Sequence, residues 1–379
     1  MMLTCAIFSC VLAVIPAALF VRNLGLYRPL PLAPAESSND EPALSVLIPV
    51  RNEEENIAAA IQSVRQSQGV QLEILVLDDA STDETARVVR EIGAVDPRVR
   101  LHRGLSLPEG WCGKNHACHQ LAKLARFPLL LFMDADVRVI TADALARMAR
   151  QMEREKLPFL SGVPRQVTCG LMEKLVIPLI HFVLLAFLPL QRMRQRTDPS
   201  LAAACGQILA VRRDAYFRTG GHEAIAGRIH DAVALARSFR RHGLLTDLFD
   251  ATDTFSCRMY DRAVDVWNGF AKNAHEGLGS RVLIGPATVI LLGGQVLPLL
   301  LLTITSTPST VILSSLGACA ALLPRILAAI RFRQSWLGAW LHPVGILVLV
   351  AIQWTALFRV LFRKPSVWRG RNYLPATTK

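Results

Sequence analysis

The stretch LLLFMDADV, residues 129–137, decides how this chain is read. Five large apolar residues run straight into Asp134 and Asp136, with one residue between the two carboxylates. An unbroken apolar run of this kind reads as a strand buried on both faces. Such a strand cannot hold two adjacent carboxylates without penalty, because an unpaired buried charge is strongly destabilising or gives up its ionisation. The strand therefore ends there, and the carboxylates meet water, a cation or both. Asp-Ala-Asp at a strand end suits a hard divalent cation, Mg²⁺ or Mn²⁺, which takes one or two carboxylates together with substrate phosphates. A solvated acidic turn fits these nine residues equally well, so the rest of the chain has to decide.

Working outward, residues 44–50 (LSVLIPV) form a strand, and 52–65 have helical spacing with Ile57, Ile61 and Val64 on one face. Residues 72–77 form a second strand closed by Asp78-Asp79. Ser81-Thr-Asp-Glu84 is a helix-start signal, with Ser81 as cap and acids in the first turn. Residues 99–101 read as a short third strand, and a helix over 114–124 leads back to the 129 strand. This alternation predicts an α/β fold, an open and mostly parallel sheet with helices on both faces. In such sheets ligands bind at the carboxyl ends of the strands, where Asp79, Asp134 and Asp136 all lie.

The composition narrows the class. The chain has 379 residues, of which 52% are hydrophobic and 19% charged, apolar for a soluble enzyme and consistent with segments in lipid. Its net charge of +12 points to nucleic acid, an anionic membrane surface or a phosphorylated substrate. No basic run interleaved with aromatics occurs, which disfavours nucleic acid. The 8 cysteines are scattered with no CxxC pair, as in a reducing compartment without a disulfide framework.

Residues 3–21 are long and apolar enough to cross a bilayer, with Arg22 and Arg28 after them and no basic residue before. That asymmetry argues for an uncleaved anchor, 1–28, whose C-terminal side is cytoplasmic. Residues 29–43 read as a linker. Residues 171–190 are apolar but interrupted by Glu173, Lys174, Pro178, His181 and Pro189, and Arg192, Arg194 and Arg196 follow. An interfacial helix pair over 166–198, with its arginines toward lipid headgroups, fits better than a span. From 282 the chain is membrane-like, with candidate spans at 282–304, 310–330 and 337–362 ahead of a basic tail, 364–379. The positive-inside rule conflicts with itself here. Arg331 and Arg333 ask to be cytoplasmic, and so do Arg363, Lys364, Arg369 and Arg371, which a single crossing by 337–362 forbids. Either one segment is re-entrant or one basic group faces out.

Other residues carry chemistry. Asn52 and Glu53 after the first strand can read a base or ribose, or simply begin a helix. Asp79 suits a ribose hydroxyl or a base N–H, or closes a turn. Lys114 opens a helix after the glycine-bracketed GWCGK, where a cation is unfavourable unless an anion sits beside it. Cys112, His116, Cys118 and His119 invite a zinc reading, but zinc sites usually pair two separated clusters, and ordinary helix residues fit better. Asp231, after His230, can act as a general base or as a helix cap, with Asp247, Asp250 and Asp253 as rivals. No GxSxG elbow or Ser-His-Asp pattern supports a hydrolase.

Taken together, VLIPVRNEEENI (46–57), VLDDASTDET (76–85) and MDADV (133–137) resemble the family-2 inverting glycosyltransferases of the GT-A nucleotide-sugar-binding fold. GWCGKNHAC, CGQILAVRRDAY followed by GGH at 220–222, RMY at 258–260 and VWRGRNY at 367–373 resemble a membrane-bound branch that includes hopene-associated and carotenoid glycosyltransferases. The resemblance implies a nucleotide-sugar half over 44–165, an acceptor and catalytic-base half over 199–281, and transmembrane helices over 282–363. It implies that Glu53 and Asp79 contact the nucleotide, that Lys114 and Asp134 serve the donor, and that Asp136 is the ligand of a divalent cation, Mg²⁺ or Mn²⁺. The base is usually an aspartate after a glutamate; here His230 takes the glutamate's place, and the role passes to Asp231. No QxxRW signature of processive synthases occurs. The implied enzyme sits in the cell membrane as a multi-pass protein with its catalytic domain cytoplasmic. It moves one sugar from a nucleotide-diphosphate sugar to a lipid acceptor. A polyprenyl-phosphate glycosyltransferase, a polysaccharide synthase and a catalytically degenerate membrane scaffold are the alternatives.

Overall fold

The computed structural model describes residues 1–32, 41–274, 282–362, 366–368 and 371–373. The N-terminal apolar run is a single helix, α1 (Met2–Leu26). Its exit is fastened to the sheet domain: the Arg28 carbonyl accepts from the Asp250 amide at 2.9 Å, and the Arg147 guanidinium holds the carbonyls of Leu30 and Pro31. The segment read as a linker is thus pinned at its start, while 33–40 lie outside the described residues.

Strands β1 (Ala43–Val50), β2 (Gln71–Asp78), β3 (Val99–Arg103) and β4 (Leu129–Met133) are parallel and ordered 3-2-1-4. Helices α2 (Ile57–Arg65), α3 (Thr85–Val95) and α4 (Gly113–Leu124) connect them. The β4 side chains alternate between two cores. Leu129, Leu131 and Met133 join Ile57, Ile61 and Val64 of α2, whereas Leu130 and Phe132 join Leu121 and Ala122 of α4. Both faces are covered, so no position in the run can be polar; Leu131→Ala costs about 2–5 kcal/mol. Glu73 of β2 is also buried, at the opposite edge from the strand ends. Burial acts to raise its pKa, yet the Arg126 amide, the Ser45 hydroxyl and the Arg126 and Arg100 guanidiniums hold it below the usual value.

Past β4 the sheet becomes mixed. It continues through β5 (Val137–Val139), α5 (Ala144–Arg154) and β6 (Phe159–Gln166), then three short helices, α6 (Leu171–Val176), α7 (Leu179–Phe187) and α8 (Leu190–Gln195). Next come β7 (Ile208–Arg212), α9 (Arg213–Arg218), α10 (Asp231–Arg241), β8 (Asp247–Cys257) and α11 (Ala263–Ala274). Strand β7 inserts antiparallel between β4 and β6, β8 runs parallel to β6, and β5 closes the edge antiparallel to β8. The order is β3-β2-β1-β4-β7-β6-β8-β5. The parallel arrangement expected from sequence therefore describes the β1–β4 half.

The apolar C-terminal region forms α12 (Ile284–Gln295), α13 (Leu297–Ile304), α14 (Pro308–Arg331), α15 (Trp336–Trp340) and α16 (His342–Leu361). A hairpin, β9 (Ser366–Trp368) with β10 (Arg371–Tyr373), follows. Helices α1, α14 and α16 are long and apolar enough to cross a membrane. The single span expected over 282–304 is instead two helices meeting at 45°, broken just ahead of Pro298. Helices α1 and α14 run side by side in the same direction: a Cβ on Gly317 would stand 3.3 Å from the Cys10 Cα, and the Tyr27 and Phe332 rings meet at 5.9 Å.

The conflict over basic ends has a structural answer among the described residues. At the end of α14, Arg331 pairs with Asp250 at 3.1 Å and Arg333 with Asp253 at 2.7 Å, both on β8. Near the end of α16, Arg359 donates to Asn268 of α11 at 3.1 Å. Between them the chain turns back, because Arg325, buried within α14, donates to the carbonyls of Pro178 and Gly338. Both helices thus finish against the sheet domain. Arg363, Lys364 and Arg369 lie outside the described residues, and of Arg371 only the backbone is described.

Candidate active site

Val50 and Asp78 are opposite each other in register, so the loops after β1 and β2 leave the sheet together. They are laced to each other. The Asn52 amide donates to Ser81 Oγ (3.0 Å), the Thr82 amide to Asn52 Oδ1 (2.8 Å), the Glu53 amide to Thr85 Oγ1 (2.8 Å) and the Glu84 amide to Glu54 Oε2 (2.8 Å). This corrects two helix-start readings. Asn52 does not cap the first helix, which begins at Ile57, and Ser81 does not cap the next, which begins at Thr85. Their polar groups serve the neighbouring loop instead. Asn52 and Ala80 both hold left-handed φ, 53° and 55°, and for the alanine this costs about 1–2 kcal/mol. Strain gathered at one sheet edge and held by crossing hydrogen bonds is a mark of a functional site. Glu53 and the buried Asp79 sit at this edge, and Arg51 grips the Asp79 carbonyl at 2.6 Å.

One strand over, β4 ends at Met133 and delivers Asp134 and Asp136. The Lys114 ammonium, from the first turn of α4, lies 2.7 Å from Asp134 Oδ1 and 3.1 Å from Asp231 Oδ2 at the start of α10. The anion that a lysine at a helix start calls for is thus a pair of carboxylates from two distant segments. Burial works against the Lys114 charge, but the two carboxylates hold its pKa well above the ordinary value. Burial would likewise raise Asp231, and Lys114, His222 and His230 overcome it, holding the carboxyl down to about 2. Asp134 is raised by burial and by the charge of Asp231, against the pull of Lys114.

Asp136 differs from its neighbours. It is pushed up to about 7 by burial first, then by the charges of Asp134 and Glu53, with the Cys257 thiol acting the other way. Its Oδ1 is buried with no hydrogen-bond partner among the described residues. A buried carboxylate oxygen without a donor, beside two further acids, fits a cation. The chain alone does not complete a cage, since no group of three or more His, Cys, Asp or Glu is placed to hold a metal among the described residues. The residues considered for zinc are not gathered around a metal position: His116 bonds Gln120 along α4, Cys112 is buried, and the buried Cys118 lines the pocket beside Lys114.

Glu53, Asp79, Lys114, Asp134, Asp136 and Asp231 thus all lie at the carboxyl edge of the sheet, with Lys114 in contact with both Asp134 and Asp231. Several neighbours had no individual sequence signal. Gly206 lies where a Cβ would stand 3.2 Å from Asp231 Oδ1 and 3.6 Å from Lys114 Nζ. His222, bonded through Nδ1 to the Tyr216 hydroxyl at 2.9 Å, joins Lys114, Asp134, Asp231 and Gly206 around one small pocket. Gln207 bridges Gln166 (2.8 Å) and the Cys257 sulfur (2.8 Å) behind Asp136. Lys272 of α11 brings a second ammonium into the field of Asp231 and Asp134. All eight cysteines are unbridged.

Comparison with known proteins bears on the domain and the fold. The profile described as glycosyl transferase family 2 matches residues 45–220. The 4,4'-diaponeurosporenoate glycosyltransferase of Staphylococcus aureus is 28% identical over 267 residues, 68% of each chain. Its Staphylococcus haemolyticus counterpart is 28% identical over 240 residues, 63% of this chain and 62% of that one. Among solved structures, a mannosyltransferase from Pyrobaculum calidifontis, in complex with GDP-Man and Mn²⁺, covers 96% of this chain and all of its own at a TM-score of 0.56 and 18% identity. That likeness concerns the fold. With a GT-A sheet, acidic strand ends and a match to the glycosyl transferase family 2 profile over 45–220, the chain carries a family 2 domain and is a glycosyltransferase.

Proposed function

We propose that the enzyme transfers a single sugar from a nucleotide-diphosphate sugar to a lipid acceptor, with inversion, at the cytoplasmic face of the cell membrane. One observation carries this reading. Lys114 ties the donor-side Asp134 to Asp231 in a pocket of a domain that is itself bolted to apolar helices through Asp250 and Asp253. The acceptor in the relatives' name, a carotenoid acid, supports an apolar acceptor, and the GDP-Man and Mn²⁺ of the fold neighbour support the donor class and a cation.

Each residue then has a task. Glu53 and Asp79 hold the base and ribose, and Lys114 faces the phosphates. Asp136, helped by Asp134, would hold Mg²⁺ or Mn²⁺, which when bound supplies positive charge against the diphosphate leaving group. Asp231 accepts the proton of the acceptor hydroxyl as its oxygen attacks the anomeric carbon from the side opposite the leaving group. Lys114 keeps Asp231 ionised and aimed while the site is empty. A carboxylate so retained beside His230 supports catalysis over a degenerate scaffold.

The test is turnover. Purified protein with Mn²⁺ or Mg²⁺ is given a panel of labelled nucleotide sugars and a lipid extract, and products are read by mass spectrometry. A lipid shifted by one sugar is expected, and Asp136→Ala should abolish it. A polymeric product favours a polysaccharide synthase, a polyprenyl-phosphate sugar favours that acceptor class, and no consumption of any donor overturns the reading.

A further inference from the structure

We propose that the cleft between α1 and α8 binds the phosphate headgroup of an anionic membrane lipid. The cleft has a volume of about 570 Å³ and is lined by Arg22 of α1, by Gln191, Arg192 and Gln195 of α8 and by Arg196 just past the end of α8. Its floor is built. Asn23, 1% exposed, donates to the carbonyls of Leu185 (2.8 Å) and Leu188 (2.6 Å), which fixes the break between α7 and α8 against α1. Arg22 bridges the two walls by donating to Gln191 Oε1.

The walls are cationic. Arg22, Arg192 and Arg196 are exposed, and among the described residues none of them has a carboxylate within salt-bridge distance. Asp198, the acid nearest in sequence, accepts from the Ser200 amide at 2.8 Å and lies in the field of Arg192 without pairing with it directly. Arg192 and Arg196 stand one helical turn apart, where like charges repel unless an anion sits between them. Arg194 is not part of this set. It turns to the sheet domain, pairing with Asp247 at 2.7 Å and donating to the Leu26 and Leu248 carbonyls. Helix α8 is therefore two-faced: Arg194 docks it, while Arg192, with Arg196 just past the helix end, faces the cleft.

The position selects the ligand. Val14, Ile15 and Val21 of α1 are exposed apolar residues, and Arg22 comes directly after them. The cleft opens where the lipid-facing side of α1 ends, the depth at which headgroup phosphates lie. Guanidinium groups hold phosphate oxygens in a fork geometry that suits this ligand. The inference rests on α1 lying in a membrane and is independent of the sugar and acceptor.

The full-length protein in mixed micelles of phosphatidylglycerol and phosphatidylcholine, read by native mass spectrometry, tests it. Wild type should retain phosphatidylglycerol over phosphatidylcholine by on the order of tenfold, with the preference collapsing in high salt. The Arg22→Gln, Arg192→Gln, Arg196→Gln variant should lose that preference while keeping its melting temperature and its nucleotide binding. Equal retention of the two lipids by wild type overturns the proposal without any variant. A folded variant that keeps the preference overturns it too, and if the triple variant fails to fold, Arg196→Gln alone carries the comparison. Displacement of the lipid by inorganic phosphate at comparable concentration marks a site for soluble anions and overturns the lipid assignment.

Discussion

Lys114 and Asp231 come from opposite halves of the catalytic domain, yet their charged atoms stand 3.1 Å apart, with Asp134 at 2.7 Å on the other side of the same ammonium. Removing the lysine leaves two half-buried carboxylates without the cation they share and takes a cation from the donor phosphates. Lys114→Met should lower kcat/KM for donor turnover by about 10²–10³-fold, the range for losing one preorganised electrostatic contact. Calorimetry should show weaker nucleotide binding in the same variant. Unchanged turnover would mean that the ion pair is purely structural.

Asp231 also accepts from the amide of Ala232 at 2.8 Å, so its carboxylate is part of the α10 start. Asparagine keeps the shape and an acceptor oxygen while removing the proton-accepting charge. Asp231→Asn should fold, bind nucleotide and lose about 10²–10⁴-fold in kcat, as expected for removal of a general base. If kcat survives, the base is another carboxylate, and Asp247, Asp250 and Asp253 are poor substitutes because each is held in place by an arginine or lies beside one at the membrane-helix junction.

Gly206 makes the Lys114–Asp231 contact possible by carrying no side chain. A methyl group there would stand 3.2 Å from Asp231 Oδ1, tighter than an ordinary contact, and the carboxylate has to move. Displacements of this size are enough to impair positioned chemistry. Gly206→Ala should reduce kcat by roughly tenfold or more at nearly unchanged melting temperature. A fully active alanine variant would show that the pocket tolerates more slack than its packing implies.

What sequence made legible follows the range of the forces involved. Strand β4 was readable because both of its faces are buried, so every residue before Asp134 is apolar. The same holds for β1 and β2. Helix starts at Asn52 and Ser81 were misread because their polar groups bond across to each other's loops, a partnership that local capping patterns cannot register. Strand β7, between β4 and β6, carries no mark of its antiparallel direction; that is set by which edge of β4 is open. Gly206, Gln207 and Lys272 matter only through tertiary neighbours. The break ahead of α13 is marked in the apolar run only by Gly293-Gly294-Gln295 before it and Pro298 after it, signals that a hydropathy count over 282–304 averages away.

Asp96 gives the soluble domain an acid-sensitive joint. It accepts from Arg65 Nε at 2.7 Å, from Arg98 Nη2 at 2.8 Å and from the Arg98 amide at 3.0 Å. The Arg98 guanidinium is the largest influence and, with Arg65, overcomes burial to hold the carboxyl far below the usual range. A folded-state pKa below the unfolded one means that the stabilisation is complete above the unfolded value, near 3.9, and fades as pH falls below it. Asp96→Asn should cost about 1–2 kcal/mol at neutral pH. Melting temperatures of wild type and variant should converge as the pH is lowered below about 4. A gap that stays constant down to that range would show that the loss comes from packing and not from charge.

The ends of α14 and α16 supply the last test, because both rest on the sheet domain through Arg331, Arg333 and Arg359. If α16 crossed the membrane alone, residues just after α14 and just after α16 would face opposite sides. Their shared contacts instead require the same side. Arg333 and Phe362 are both exposed and accept a reporter thiol; the Arg333–Asp253 pair that is lost lies at the surface and contributes little. Arg333→Cys and Phe362→Cys are made separately, with the exposed Cys5, Cys169 and Cys319 changed to serine. A membrane-impermeant maleimide should label both positions in inside-out vesicles and neither in intact cells. Labelling of the two from opposite sides would show that α16 spans the bilayer and that the Arg359–Asn268 contact does not persist there.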